Sequence, residues 1–302
     1  TMIRWHNCIF ALICTAVVSS PLAANTGASP AEADRKALRQ LRGQIVGQIV
    51  WESNRSGSWQ LYTMNADGTG ARHLTAGPGD HTQAQLSGNG KRIIYCKKLP
   101  GKPGEVWLMN NRGQYARKLI DNATDPRWRK NDTAIQFLRK PNPGQDEHET
   151  WEYDLETQQS RRLFPTDGVE FEPKIQIAWG DDDATRFIVW APRPRGTWVL
   201  SADGSIQGHV HGGCEPRIAS GQRYAYGVKT AGQFIRFNLA DGKDPLIFNE
   251  REGPWSHTYR PCLSRNHNWL VYMACPPDQH DHNTSDYEIF LTSIDDWKTE
   301  GE

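Results

Sequence analysis

Short apolar runs separated by turn residues recur along the chain, and they alternate with the period of two that marks strands. The first clear unit is Gln48 to Thr75, QIVWESNRSGSWQLYTMNADGTGARHLT. Ile49 to Ser53 is an apolar, β-branched and aromatic run. Trp59 to Met64 alternates, with Trp59, Leu61 and Thr63 facing away from Gln60, Tyr62 and Met64. Ala71 to Thr75 closes the unit. Between these strands, Asn54-Arg55-Ser56-Gly57 and Ala66-Asp67-Gly68-Thr69-Gly70 supply the Gly and Asx residues that tight hairpins need for positive φ. One unit cannot bury both of its faces, so it predicts copies of itself.

Five further openings align on a Pro or its equivalent: Thr82 to Ser87, Thr124 to Arg129, Phe171 to Gln176, Cys214 to Ala219 and Tyr259 to Ser264. Each leads through a turn into an apolar strand, then into a third strand. Counted from Ala84, Pro126, Pro173, Pro216 and Pro261, the openings lie 42, 47, 43 and 45 residues apart. A steady period in the forties with about four strands per unit means propeller blades. The expected fold is all-β, a six-bladed β-propeller of four-stranded antiparallel blades over residues 44–302. Blade one lacks a clear opening strand and blade six a clear closing one, so the two chain ends are expected to complete a shared blade.

Leu61-Tyr62-Thr63-Met64-Asn65-Ala66-Asp67-Gly68 and Arg72-His73-Leu74-Thr75 resemble the propeller repeat of the TolB family. In that repeat a hydrophobic strand leads to a "ly.mnaDG" hairpin and a short "r.LT" strand. The resemblance implies a periplasmic or secreted propeller that binds a protein partner or a glycan. Residues 25–43, a small-residue linker and a helical stretch from Pro30 to Leu41, are too short to match the sizeable N-terminal domain of that family. A propeller is a scaffold for many activities, so function must be sought in its residues.

In a propeller the opening strand lies innermost, and residues on either side of the aligned Pro share one face. Before it stand Gln83, Asp125, Glu172, Glu215 and Arg260; after it stand Gln85, Arg127, Lys174, Arg217 and Cys262. Three blades therefore set an acid over a base at the channel. Asp125, Arg127, Glu172, Lys174, Glu215, Arg217 and Arg260 are candidate ligand-binding residues for an ionic or sugar ligand. The same residues also suit an internal lattice of ion pairs, since charges in a narrow channel must be paired to offset desolvation.

Histidines gather on one rim. Loops between second and third strands, and links between blades, emerge on one face, and that face collects His81, His148, His209, His211, His257, His280 and His282. Imidazole is a common metal ligand, and His211, His257, His280 and His282 are candidate ligands for a divalent ion (Mn, Ca or Zn). This layout resembles, loosely, that of oligogalacturonate lyases, propeller enzymes with a histidine-rich manganese site. The resemblance implies an alternative function, a metal-dependent lyase acting on an acidic oligosaccharide. A polar loop surface rich in His and Asp accounts for the same residues.

Composition narrows the picture little. Lys+Arg and Asp+Glu both number 35 among 302 residues, so no basic field points to nucleic acid. Arg4, the apolar segment Cys8 to Val18 and the small residues Ser19 to Ala24 have the three regions of a secretory leader spanning residues 1–24. Its apolar part is too short to cross a bilayer, which takes about 20 residues. The mature chain is therefore expected without a membrane span, exported and monomeric. Cys96, Cys214, Cys262 and Cys275 would remain, with three possible pairings or buried thiols. No Gly-x-Ser-x-Gly elbow is present, and Asp181-Asp182-Asp183 reads as a solvated turn or a calcium ligand.

Overall fold

The computed structural model describes residues 5–6, 9–13, 39–40, 42, 45–140, 148–164, 177–192, 195–211, 214–219, 223–230, 232–243, 246–249, 257–264, 268–275 and 288–293. It is an all-β propeller of six four-stranded antiparallel sheets. The outer strand of blade six is Trp5–His6 (β1). Blade one contains Ile9–Ile13 (β2), Gln48–Ser53 (β3), Gln60–Asn65 (β4) and Arg72–His73 (β5). Blade two contains Asp80–Leu86 (β6), Arg92–Lys98 (β7), Glu105–Asn110 (β8) and Arg117–Asp121 (β9). Blade three follows with Thr124–Arg129 (β10), Ala134–Arg139 (β11), Glu149–Asp154 (β12) and Ser160–Phe164 (β13). Blade four is built from Ile177–Gly180 (β14), Arg186–Pro192 (β15), Arg195–Ser201 (β16) and Ile206–His211 (β17). Blade five holds Cys214–Ile218 (β18), Tyr224–Thr230 (β19), Gln233–Asn238 (β20) and Leu246–Asn249 (β21). Blade six has His257–Leu263 (β22), Trp269–Cys275 (β23) and Glu288–Ser293 (β24), with β1 added at its edge.

The hairpin read from the sequence closes as its residues dictate. Asn65 N–H donates to Thr69 O at 2.8 Å, and Gly68 N–H to Asn65 O at 2.8 Å. Gly68 takes φ +82°, which a residue with a Cβ adopts only at a cost. The same closure recurs between Asn110 and Gln114 in blade two and between Ser201 and Ser205 in blade four. Local chemistry therefore repeats with the blades.

The core lies between blades. Val50, Leu61 and Leu74 of blade one pack with Ala84, Leu86, Ile93 and Tyr95 of blade two. Ring closure is apolar as well: Ile49, Trp51, Tyr62 and Met64 of blade one meet Val271, Met273, Ile289 and Leu291 of blade six. Gly208 allows a close approach of blades four and five. A Cβ there would fall 1.8 Å from Asp241 O in blade five, so any other residue would push the blades apart.

The two chain ends share blade six, as expected, and the N-terminal segment in addition supplies the opening strand of blade one. Trp5–His6 pairs with β24 in blade six, whereas Ile9–Ile13 pairs with β3 as the inner strand of blade one. This is the apolar run that the sequence reads as the centre of a leader. An uncharged, β-branched segment suits either fate, because both need only apolar side chains. The expected cleavage site near Ala24 lies outside the described residues, as does the expected helix apart from Arg39 and Gln40, which are helical. Among the described residues, no helix is long and apolar enough to cross a membrane.

Candidate functional site

The inner strands carry a device that alternation alone does not reveal. Gln83, Asp125, Glu215 and Arg260, each the residue before the aligned Pro or its equivalent, have φ between +48° and +55°. The pairing of each inner strand with its neighbour slips at this point, between Thr82 and Gln85, Thr124 and Arg127, Cys214 and Arg217, and Tyr259 and Cys262. These are β-bulges, and a left-handed non-glycine residue costs about 1–2 kcal/mol. The bulge turns its backbone N–H toward the preceding blade, where a side chain accepts it. Glu52 Oε2 takes Gln83 N–H at 2.5 Å, Gln83 Oε1 takes Asp125 N–H at 2.8 Å, and Glu215 Oε2 takes Arg260 N–H at 2.5 Å. Arg260 also lies 3.7 Å from both Glu52 and Glu215. Burial pushes the Glu52 carboxyl above its ordinary range, against the pull of Arg260 and the Gln83 N–H.

One residue beyond the Pro, the channel is cationic. Arg127 and Arg217 stand at this level with Gln85 and Cys262, on inner strands that flank blade four. The Arg127 guanidinium lies 3.4 Å over the Trp179 ring, and its one ion pair among the described residues is a 3.7 Å approach to Asp125. The Nε atoms of Arg127 and Arg217 are buried and find no hydrogen-bond partner among the described residues. Burial pushes Arg127 down to about 10. Burial also opposes the charge on Arg217, but Cys262, Tyr226, Asp125 and Glu215 outweigh it and hold that group above its ordinary value.

Of the residues expected at the channel, Asp125, Arg127, Glu215, Arg217 and Arg260 thus converge on the axis, while Glu172 and Lys174 lie outside the described residues. Among the described residues the arrangement is not a one-for-one lattice. The described acids serve mainly the N–H groups of the next blade and Arg260, which leaves the charge of Arg127 poorly matched and the Nε of both Arg127 and Arg217 without a hydrogen-bond partner.

A cavity of about 590 Å³ opens where these strands end, between blades three, four and five. Arg127 and Trp179 form its inner wall, with Trp128, Arg186, Arg223 and Asn238 around it. It lies on the face of the first-to-second strand turns, opposite the histidine rim. Arg129 also lines it, with both terminal nitrogens taken and its Nε without a partner among the described residues. It donates to Glu152 at 2.8 Å, to Asp182 O at 2.7 Å and to Asp181 O. Asp181 accepts from Thr185 and Arg186 N–H, and Asp182 from Lys130 N–H of blade three. Asp132 clasps Gly88 and Asn89 of blade two in the same way. Asp181 and Asp182 are therefore ties within and between blades, which sequence reasoning missed. Their only signal was the recurrence of acidic turns one repeat apart.

The histidine rim is described in part. His211 ends β17 and His257 begins β22; His280 and His282 lie outside the described residues. Among the described residues no group of three His, Cys, Asp or Glu side chains could hold a metal ion. His209 stacks on Trp198 at 3.9 Å. His81 is 3% exposed, packs on Tyr95 at 5.8 Å, and is pushed down to about 4 by burial and Lys97. Two of the seven rim histidines are thus taken up by packing. His81 stays neutral in the fold while the unfolded chain binds a proton below about 6.5, so stability falls as pH drops through that window. Between pH 7 and pH 5 the loss is about 2 kcal/mol at 1.36 kcal/mol per unit. Urea titrations at both pH values check it, and His81→Leu should lack that part of the slope.

Cys96 is a free thiol, buried, and pushed up to about 12 by desolvation. A complete two-bridge pairing of the four cysteines is therefore not formed.

No family model matches the sequence, and no curated protein matches it. Solved structures do match in fold. TolB from Acinetobacter baumannii superposes with a TM-score of 0.57 at 14% identity, covering 86% of this chain and 68% of that one. A gluconolactonase from Xanthomonas campestris gives 0.53 at 16% identity, covering 82% of each. An oligogalacturonate lyase from Vibrio parahaemolyticus gives 0.52 at 8% identity, covering 97% and 92%. The chain is thus a TolB-like propeller in architecture, and these structures differ too much in their stated activities to carry one across.

Proposed function

We propose that this propeller is an extracytoplasmic binding scaffold whose ligand occupies the cavity between blades three, four and five. The observation that supports it is the cavity itself, concave, lined by Trp128, Trp179 and arginines, and about 590 Å³ in volume. That falls within the roughly 300–1,000 Å³ typical of small-molecule sites. Of the two partner classes that the fold suggests, protein or glycan, a recess of this size favours a glycan. The partly exposed Trp128 offers sugars an apolar contact, while arginine edges offer donors for hydroxyl and carboxylate oxygens.

The alternative, a metal-dependent lyase, rests on His211, His257, His280 and His282, and the described residues supply no ligand set for it.

The test is a glycan array probed with protein isolated from the extracytoplasmic fraction, whose N-terminus is sequenced on the same sample. Retention of a glycan class is expected, and the N-terminus decides between the two fates of the first apolar run: near Asn25 it is a leader and β1 and β2 are absent from the exported protein, before Trp5 it is part of blades six and one. Arg186 is partly exposed and Arg223 exposed, and neither makes an ion pair among the described residues, so the double variant Arg186→Glu/Arg223→Glu should fold normally. It should bind at least tenfold more weakly. Equal retention by the variant, or none by the wild type, would overturn the cavity reading. Recovery only from the cytosol would overturn the location.

A further inference from the structure

We propose that Arg127 and Arg217 form an anion site at the waist of the channel, and that it takes the carboxylate of an organic acid entering from the cavity. This deepens the ligand-binding reading and rests on it.

A guanidinium carries five N–H donors in one plane. Stacking 3.4 Å over Trp179 uses the face of Arg127 and leaves its edge donors pointing out of the stack. That edge has only a 3.7 Å approach to Asp125, too long for a hydrogen bond. Arg217 has the same register one step beyond the Pro of blade five, and its Nε is equally without a partner among the described residues. A buried donor left without a partner is costly. Two of them on charged groups, at one level of one channel, mark a place where an acceptor is missing. Carboxylate oxygens match guanidinium edges two by two, which an aliphatic ammonium would not require.

Among the described residues the neighbouring carboxylates do not fill this role. Glu215 is held by Arg260 N–H, and Glu52 by Gln83 N–H. Both belong to the bulge level, on the far side of the arginines from the cavity. A ligand from the cavity meets Arg127 first, because Arg127 lines it while no carboxylate of the bulge level does. Asp125 and Glu215 still act on Arg217 through space, so the site is only moderately electropositive. It should need the rest of the ligand to fill the cavity.

Citrate serves as the probe, followed through the arginine Nε–H resonances of the whole protein at pH 7. The expected result is a saturable shift of two buried Nε–H signals. Citrate affinity should fall at least tenfold in Arg127→Gln and in Arg217→Gln, with Tm unchanged or raised in the first and lowered in the second, whose charge its neighbours favour, so binding is read well below that Tm. Unmoved resonances, an affinity unchanged in either variant, or a response to inorganic phosphate but not to citrate would overturn the proposal. The array keeps the two readings apart. If a glycan binds in the cavity and neither citrate nor the arginine variants affect it, the anion site falls and the scaffold reading stands.

Discussion

Glu152→Ala is expected to lower stability by about 3–5 kcal/mol, the usual cost of removing one partner of a buried ion pair. The Glu152 side chain is 5% exposed and meets Arg129 at 2.8 Å, Lys130 at 3.0 Å and Arg161 at 2.8 Å. Most of the effect comes through Arg129, whose side chain is 3% exposed. Arg161 and Lys130 are far more open to solvent, where screening leaves little net energy. Arg129 holds two carbonyls of the next blade, so the loss loosens the contact of blades three and four. Glu152 is pulled down overall. Burial works against its charge, but the Lys130 bond, Arg129 and Arg161 outweigh it. A depressed carboxylate stabilises above its unfolded pKa and loses that contribution as pH falls through its folded value. Urea unfolding at pH 7 and pH 3 should show the two proteins far apart at the first and closer at the second. A wild-type midpoint unchanged by the substitution at pH 7 would refute the role of this cluster.

Arg127→Met is expected to act in the opposite direction and raise stability at pH 7 by about 2 kcal/mol. Burial lowers the Arg127 pKa to about 10, and each unit is worth 1.36 kcal/mol. The stacking on Trp179 returns about 1 kcal/mol of that cost. A base whose folded pKa is depressed penalises the fold below that value, and the penalty fades as pH rises through it. The gain of the variant should therefore shrink above pH 10. Thermal unfolding at pH 7 and pH 10.5 measures it. A destabilised variant at pH 7 would mean that Arg127 is matched in the resting protein, which would also remove the ground for an anion site there. The contrast between the two substitutions is informative. One charge holds blades together, and the other is carried at a net cost that its stacking on Trp179 only partly offsets.

Much of the architecture was open to reading. Gly68 and Asp67 announce their hairpin because positive φ and Asx side-chain bonding are local properties. The spacing from Ala84 to Pro261 announces the blades because each must bury its faces on copies of itself. The side of the strand that meets the axis was also legible, since Asp125 and Arg127, or Glu215 and Arg217, stand where alternation puts them.

What these residues do there was not legible. The sequence shows an acid beside a base and suggests that they pair. The bulge instead turns the N–H of Arg260 toward Glu215 and that of Asp125 toward Gln83. Those partners lie 45 and 42 residues apart, one repeat in each case. Local rules act over a few residues and cannot say which side chain of one blade reaches the backbone of the next. The same holds for Asp132 and Asp182, which look like solvated turn residues until the neighbouring blade is in place. It holds too for the cavity, whose walls come from three blades, and for the run Ile9–Ile13, whose composition suits a leader and whose pairing is with β3. Sequence alone thus determined the unit, its turns, its repeat and its axial face, because those follow from backbone chemistry within one blade. Only the tertiary structure decided which charges are satisfied and which are left facing the channel. That depends on the angle and distance between blades, set by the packing of their apolar faces.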